Sequence, residues 1–326
     1  MQGRGPVRAI LVCAALLAST VVAAAPKSDT IAAYHALAAQ DLRLATVGYR
    51  LADANVDFCR NKARIPGWVL HDERQYPDLA AARAAFAFRQ PVSISALVPG
   101  GPAEKAGMEL GDGPVYIGGD TMIWYGGEPV HHRPTVERLE NIKKTIATAL
   151  SAKPPLSITI TTQTGDRKFA LDPPPICATE FWVDPKAKTD AGADGDRVRV
   201  TSGLLDFVAD DDELAAVIAH ELAHNLLGHP EKLSAIRKGK SKAIRETENE
   251  ADLLSVWLMA NAGYDPKASV RFWQRYGPMK GGGLFTSATH LPWKKRVSLL
   301  SAEIDTMNAQ PEIKGKRRPP LLSSAP

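Results

Sequence analysis

Hydrophobic positions recur at helical spacing in the early and late parts of the chain. Over residues 28–62 they fall two to five apart, which predicts one long amphipathic helix. These positions are Ala32, Leu37, Leu42, Leu44, Val47, Leu51 and Val56. Residues 214–227 are apolar around most of the helical circumference, and this predicts a helix through the middle of a domain. A further helical stretch follows over residues 246–259.

Between these helices the pattern changes to the alternation typical of β-strands. Residues 92–98 alternate, residues 135–152 return to a helical pattern, and residues 156–162 and 197–201 alternate again. The alternation predicts a β-rich region inserted ahead of the second helical region.

The turn after the strand at 92–98 contains Pro102-Ala103 and then Ala106-Gly107, followed by Gly111-Asp112. This pattern resembles that of bacterial protease PDZ domains. The resemblance implies a PDZ-like domain over residues 85–172, and such domains bind peptides by strand addition. The sequence contains no clear Gly-Leu-Gly-Phe-like carboxylate loop, so a peptide ligand and a spacer role both stay open.

His220-Glu221-Leu222-Ala223-His224 lies on the predicted apolar helix and is the strongest chemical signal in the chain. The two histidines are one turn apart on one face, so both imidazoles can reach a single metal ion. Glu221 lies about 100° round from His220, outside the coordination shell but within reach of a water molecule. As ordinary residues of a buried helix, two unpaired histidines would be costly. The motif therefore predicts half of a zinc hydrolase site.

A catalytic zinc site requires a third protein ligand. Glu248 and Asp252 form an i, i+4 pair on the following helix. Glu248 can then bind the metal while Asp252 orients a ligating histidine. Glu246 and Glu250 point about 200° away from Glu248 and are expected to stabilise the helix N-terminus instead.

His229 is the other histidine near the motif. It follows His220 at half a turn out of phase, and Pro230 ends the helix directly after it. It is also one residue short of the metzincin spacing. We therefore expect a solvated or capping role for His229 rather than metal ligation.

These motifs resemble the prenyl-protein protease and HtpX-type zinc metallopeptidases, a gluzincin family that includes BepA-like periplasmic proteases. The match covers residues 178–305 and includes His290 with the downstream Arg296. It implies a mainly helical α+β domain with a small antiparallel sheet, with Glu248 as third zinc ligand and Asp252 as its supporting acid. His290 is expected to stabilise the oxyanion or gate the metal, with a loop histidine of no catalytic duty as the alternative. Arg296 is expected to pair with an acid.

These residues predict hydrolysis of a peptide or an unfolded protein. One zinc ion held by His220, His224 and Glu248 would lower the pKa of a water molecule toward about 7. Glu221 would take the proton and return it to the leaving amine. The candidate substrate-binding strand consists of Arg197, Val198, Arg199 and Val200. An internal position for this strand in the sheet is the alternative.

The first 24 residues have the form of a secretory signal peptide. Arg4 and Arg8 precede an apolar run over residues 9–25. This run of about 17 residues is too short to predict a membrane span. Cys13 lacks a good lipoprotein box, so lipid anchoring is not expected. We therefore expect an exported, bacterial, periplasmic protein without a transmembrane segment, and the resemblance implies a role in protein quality control.

Charge and cysteine content add two expectations. The first 24 residues hold two arginines and no acids, so without them the net charge falls from +4 to +2, too little to indicate nucleic acid as a partner. Cys59 and Cys177 then remain in an oxidising compartment. We predict a disulfide that ties the N-terminal helix to the start of the protease domain. Two separate buried thiols are the alternative.

The predicted organisation is therefore α+β with several segments. A signal peptide covers residues 1–24, a helix residues 28–62, a PDZ-like domain residues 85–172, and a zinc metallopeptidase domain residues 178–305. A disordered tail rich in proline and lysine covers residues 309–326. The predicted function is an exported zinc metalloendopeptidase. The alternative is a non-catalytic peptide-binding or chaperone-like protein with a zinc site.

Overall fold

The structure is a computed structural model that describes residues 28–118, 121–122, 136–279 and 291–322. Its helices are α1 (Ser28–Ala54), α2 (Leu79–Ala85), α3 (Pro102–Lys105), α4 (Val136–Ala152), α5 (Ser202–Phe207), α6 (Asp211–Leu227), α7 (His229–Ala235), α8 (Lys240–Asn261), α9 (Lys267–Tyr276) and α10 (Trp293–Asn308). Its strands are β1 (Lys62–Arg64), β2 (Trp68–Asp72), β3 (Val92–Leu97), β4 (Gly113–Ile117), β5 (Thr121–Met122), β6 (Leu156–Thr162), β7 (Gly165–Leu171), β8 (Pro175–Cys177), β9 (Glu180–Asp184), β10 (Ala191–Ala193) and β11 (Arg197–Thr201). The predicted signal peptide lies outside the described residues. None of the helices in the described ranges has the length and apolar character needed to cross a membrane.

The long helix α1 ends eight residues before the predicted end. Asn55 stops it, because its side-chain amide donates to the carbonyl oxygens of Leu51 and Leu258 at 2.9 and 3.0 Å. Gly48 lets the helix approach β9 closely, since a Cβ at that position would lie 2.5 Å from the Phe181 ring. α1 is therefore held against the helical part of the molecule.

The β-rich region has a hydrophobic core of its own. Two strands (β2-β3) and a four-stranded sheet in the order β5-β4-β6-β7 pack with α4 around it. Its fully buried members include Val92, Ile94, Leu150, Ile158 and Ile160. β3 and β6 follow the strands predicted at 92–98 and 156–162. The core begins upstream of residue 85, because Leu70 of β2 belongs to it. The PDZ-like identity of this region stays a prediction.

The second core lies between α1, α6, α8, α9 and α10 and a three-stranded sheet in the order β10-β11-β9. This sheet is mixed rather than antiparallel, because β11 pairs antiparallel with β10 and parallel with β9. The chain passes from β9 to the outer position of β10 and returns between the two. Gly195, in the turn before β11, has a φ of +111°, a conformation that favours glycine.

β11 is thus the middle strand, and the prediction that Arg197, Val198, Arg199 and Val200 form a substrate-binding edge is wrong. Val198 lies opposite Ala193 on one side and Phe181 on the other. The backbone of an internal strand is already paired on both sides and has no free edge for an added strand. Alternation of side chains was present in the sequence, but it does not distinguish an internal strand from an edge strand.

The Cys59 and Cys177 sulfurs form a disulfide, with Cα atoms 5.4 Å apart. It lies beside the antiparallel pair of β1 and β8, in which Lys62 is opposite Cys177. The bond therefore connects the segment after α1 to the segment that leads into β9.

Part of the segment 309–322 contacts the helical core, whereas a disordered tail was expected. The Arg317 amide donates to Asn261 Oδ1 at 2.8 Å, and the Asn261 side-chain amide donates back to the Arg317 carbonyl oxygen at 3.0 Å. Leu321 and Leu322 pack on the core. Composition indicated disorder, but these local contacts stabilise the segment.

Candidate metal centre

α6 carries both predicted histidine ligands. The helix begins after Asp210, whose Oδ1 accepts from the Glu213 amide at 2.8 Å, and it ends at Gly228, which has a left-handed φ of +65°. His220 and His224 are both buried, and their Nε2 atoms are 3.2 Å apart. A single capped helix therefore presents two imidazoles to one point.

α8 packs on α6 and brings Glu248 to the same point. Its Oε2 lies 3.3 Å from Nε2 of His220, and its Oε1 lies 3.4 Å from Nε2 of His224. In the part of the chain that the structure describes, these three residues form a group whose ligand atoms all lie within 4.8 Å of one another. The predicted ligand set therefore converges from two separate helices.

These separations fit a tetrahedral zinc ion. With zinc-to-ligand distances of about 2.0–2.2 Å, two ligand atoms of a tetrahedron lie roughly 3.3–3.6 Å apart. The two histidine Nε2 atoms are 3.2 Å apart, and each lies 3.3 or 3.4 Å from a different Glu248 oxygen, which is close to that range. Two imidazoles and a carboxylate with one open position are also the donor set of a hydrolytic zinc site. The residues present thus fit zinc.

Asp252 and Arg296 support the first histidine. Asp252 Oδ1 lies 3.0 Å from Nδ1 of His220, and Arg296 Nε donates to Asp252 Oδ2 at 2.7 Å. The Arg296 guanidinium carbon lies 3.7 Å from the centroid of the Trp273 ring. Burial alone would raise the pKa of Asp252, but Arg296 and His220 outweigh it and hold that pKa below its usual value. Asp252 therefore stays charged and can accept the Nδ1 proton of His220, which leaves Nε2 for the metal.

The two histidines differ in protonation. Burial and the neighbouring His220 lower the pKa of His224 to about 3. Burial also opposes a charge on His220, but its hydrogen bonds with Asp252 and Glu248 prevail and raise its pKa to about 10. A ligating imidazole must be neutral, so zinc binding requires His220 to give up the charge that Asp252 and Glu248 favour.

Glu221 is buried next to the first ligand. Burial raises the pKa of its carboxyl group to about 7, the carboxylates of Glu248 and Asp190 add to the increase, and His220 opposes it. A carboxyl group with a pKa near neutrality can both accept and return a proton. Its role as the general base stays a prediction.

His229 is buried, and the expectation of a solvated or capping role is wrong. Its Nδ1 lies 2.9 Å from Nδ1 of His224, and its Nε2 lies 2.9 Å from Oε2 of Glu250. Gly228 turns the chain out of α6, so His229 begins α7 directly beside His224. Helical phase assumes a continuing helix and therefore missed this contact. The Gly-His-Pro sequence was the available signal for the turn.

His290 lies outside the described residues, so its expected role at the cleft stays a prediction. Arg296, six residues downstream, is described and pairs with an acid as expected.

Comparisons with known proteins agree with this geometry. Residues 182–244 match the family model of Peptidase family M48, a stretch that contains His220, Glu221 and His224 and ends before Glu248. Three relatives carry the name mitochondrial metalloendopeptidase OMA1. The protein of Schizosaccharomyces pombe is 29% identical over 133 residues, which are 32% of this chain and 40% of the relative. That of Saccharomyces cerevisiae is 28% identical over 159 residues, or 38% and 46%. That of Arabidopsis thaliana is 29% identical over 133 residues, or 32% and 27%.

The predicted localisation is wrong. All three relatives are mitochondrial by name, which contradicts an exported bacterial protein of the periplasm. The same finding gives no support to a BepA-like branch or to a periplasmic quality-control role. An apolar run behind two arginines is a compositional signal, and composition alone did not determine the compartment.

The chain spans less than half the length of each of these relatives. The matched stretch covers the helix with the predicted histidine ligands and the sheet that precedes it. Residues 182–244 thus resemble peptidase family M48, and the three relatives that match part of this chain carry the name metalloendopeptidase.

Proposed function

We propose that this chain hydrolyses internal peptide bonds with one zinc ion held by His220, His224 and Glu248. The observation that carries the proposal is the convergence of their ligand atoms at 3.2–3.4 Å, with the buried carboxyl group of Glu221 beside them. The substrate class is a peptide or an unfolded protein, in line with the metalloendopeptidase relatives.

When bound, zinc supplies a Lewis acid that activates water and polarises the peptide carbonyl. The side chains of the protein do the rest. Glu221 accepts the proton of the attacking water at its carboxylate and returns it to the nitrogen of the leaving amine, so that it ends the cycle as it began. Asp252 holds the orientation of His220, and the buried setting of α6 keeps bulk water away from the reacting groups.

We propose β10 as the strand to which an extended substrate adds, in place of β11. It packs beside α6 and is an edge of the three-stranded sheet. Ala191 and Ala193 alternate with the residues of β10 that bond to β11. Their backbone groups are therefore directed away from β11. The inward bonds run from the Thr201 amide to the Asp190 carbonyl and from the Asp194 amide to the Arg197 carbonyl.

Proline at position 193 tests this edge, because it removes one outward N–H group. For Ala193→Pro we expect a several-fold higher KM for peptide hydrolysis, with unchanged zinc content. Ala193→Ser keeps the N–H group and is the matched control. An unchanged KM in the proline variant would remove β10 from the proposal.

We also propose that residues 85–172 form a PDZ-like module. The order of a strand, the short helix α3, a strand, the helix α4 and a strand supports it, as does the separate core. The module is also tied to the strand that precedes it, since Arg138 of α4 donates to Asp72 of β2 at 2.6 Å. Anisotropy measurements with labelled peptides on the full Glu221→Gln chain, which should not consume them, distinguish peptide capture from a spacer role.

Metal removal and return test the main proposal. We expect the purified chain to contain one zinc ion, to cleave casein, to lose this activity with a chelator and to regain it with added zinc. Zinc at full occupancy without cleavage of casein or of any member of a peptide library would favour the non-catalytic alternative. Cleavage that resists the chelator would overturn the role of the metal.

A further inference from the structure

The two histidine ligands are supported in different ways. His220 contacts the carboxylate of Asp252 directly. His224 contacts no carboxylate at its Nδ1 among the described residues, but meets Nδ1 of His229, whose Nε2 meets Glu250. We propose that His229 and Glu250 form a relay that fixes the orientation and tautomer of His224, which makes both positioning residues. The inference rests on the proposed zinc site.

The proton positions in this relay follow from the zinc-binding atom. If Nε2 of His224 faces the metal, its proton is on Nδ1. That N–H then donates to Nδ1 of His229 over 2.9 Å. With Nδ1 as acceptor, a neutral His229 carries its own proton on Nε2 and donates it to Glu250 Oε2 over 2.9 Å. Each contact then has one donor and one acceptor, and no second proton is needed.

The burial of His229 makes the relay rigid. Its side chain is 0% exposed, while that of Glu250 is 41% exposed. Both ring nitrogens of His229 are engaged, so the ring has no atom left for the metal. A buried imidazole with both nitrogens bonded can rotate only by breaking a hydrogen bond.

The relay also ties three helices to one site. His224 lies on α6, His229 opens α7 after Gly228, and Glu250 lies on α8 two residues beyond Glu248. Glu250 points away from the metal as its helical phase predicts, yet it reaches His229 because α7 packs against that side of α8. α8 therefore supplies a ligand in Glu248 and the carboxylates that orient both histidines.

Zinc affinity of the full chain, measured by competition with a chromophoric chelator, tests the relay. For His229→Leu, which removes both contacts, we expect zinc binding to weaken about 10- to 100-fold. His229→Asn places an acceptor near the former Nδ1 and is expected to recover part of this loss. Glu250→Ala is expected to weaken binding about 10-fold. The matched control is Glu246→Ala, an exposed carboxylate on the same helix that pairs with Lys242 at 3.7 Å, for which we expect no change.

A double-variant comparison distinguishes a relay through His229 from a general effect of the Glu250 charge on zinc affinity. If Glu250 acts through His229, Glu250→Ala has no further effect in the His229→Leu background. A carboxylate that acts on zinc through space would give the same loss in both backgrounds, and this outcome would overturn the relay. Unfolding of each metal-free variant checks the fold. If His229→Leu fails to fold, the test rests on Glu250→Ala, whose side chain is half-exposed. A zinc affinity equal to that of the wild type in Glu250→Ala would then contradict the relay.

Nitrogen NMR of labelled histidines gives a readout apart from affinity. In the zinc-loaded chain we expect protonated Nδ1 in His224 and protonated Nε2 in His229. The opposite tautomer of His229 would exclude donation to Glu250. A wild-type chain that binds no zinc would overturn the proposed function and the relay together, whereas zinc binding that none of these variants alters would overturn the relay alone.

Discussion

Two buried polar clusters in this protein hold their ionisable groups in opposite ways. One is the metal centre. The other, here called the aromatic cluster, lies where α1 meets β2 and α2. Its members are Tyr34, His71, Tyr76, Phe86 and Phe88, with Asp41 beside Tyr76.

In the aromatic cluster, burial drives ionisable groups to their neutral forms. His71 stacks on Phe88 with ring centroids 4.2 Å apart, and its Nδ1 lies 2.8 Å from the Tyr76 hydroxyl. Burial lowers the pKa of His71 to about 3, although Asp72 opposes the shift. Burial likewise raises the pKa of Asp41 to about 7. Among the described residues, no opposite charge reverses these two shifts.

At the metal centre, contact with opposite charges reverses the effect of burial on Asp252 and His220, whereas burial prevails at His224 and Glu221. Asp252 is fully enclosed, yet Arg296 and His220 hold its pKa below the usual value. Burial alone thus does not decide whether a group is charged, and the partner in contact does. A cation site needs charged or polarised ligands in an apolar setting. Of the two clusters, the metal centre supplies them and the aromatic cluster does not.

Removal of the Glu221 carboxylate gives the largest expected effect and sharpens this contrast. For Glu221→Gln we expect hydrolysis to fall by about 10²–10⁴-fold, because the proton carrier is lost. Zinc content should stay at the wild-type level, since Glu221 is not a ligand. Peptidase assays with metal analysis on the same samples check this. Near wild-type turnover would refute the assigned role.

Arg296→Met tests whether the metal centre depends on paired charge. Arg296 and Asp252 are each 2% exposed, so removal of one partner leaves a buried carboxylate poorly compensated. We expect a loss of about 3–5 kcal/mol in the free energy of unfolding of the metal-free chain. Denaturant titration measures it. The double variant with Asp252→Asn should lose less than the single one, and additive losses would contradict the pairing.

Asp41→Asn tests the opposite expectation at the aromatic cluster. Because the folded pKa of Asp41 lies above its ordinary value, the folded state binds an extra proton between about pH 4 and pH 7. Wild-type stability contributed by this group is therefore present below that window and is lost as the pH rises through it. We expect asparagine to stabilise the chain by about 2 kcal/mol above pH 7, with some discount for partial exposure, and by nothing below about pH 4. A constant difference across the range would show that Asp41 does not titrate this way.

The smallest expected effect is that of His71→Gln on the free energy of unfolding at acidic pH. Its folded pKa is depressed, so its contribution is present above about pH 6.5 and is lost as the pH falls toward 3. In His71→Gln the decline of stability between about pH 6.5 and pH 5.5 should be shallower by about 1 kcal/mol. The readout is the slope of the free energy of unfolding against pH, because the substitution also changes that free energy by an amount that does not depend on pH. Parallel slopes would place the titration elsewhere.

The metal ligands were within reach of the sequence because their spacing is a local property of helices. His220 and His224 share a face whenever the helix forms, and Glu248 with Asp252 does the same on the next helix. The meeting of the two pairs at 3.3–3.4 Å required only that both apolar faces pack together. Local periodicity and burial therefore sufficed for this part of the site.

The features that sequence reasoning missed depend on chain reversals. His229 contacts His224 because the left-handed Gly228 ends α6, and a phase argument along one helix does not describe a turn. β11 became internal because β10 crosses to its far side, and side-chain alternation is the same for edge and centre. The spacing of hydrophobic residues therefore predicts neither the contact of His229 with His224 nor the central position of β11.

The sequence by itself determined the elements and the residue types that can hold zinc, because helical and strand periods and the His-Glu-x-x-His spacing act over a few residues. The tertiary structure decided which strand is the edge, which carboxylate reaches which histidine and which buried groups stay charged. These depend on contacts between residues far apart in the chain. A pKa or a hydrogen-bond partner is set by what packs against a group, and that is known only once the helices and strands are in place.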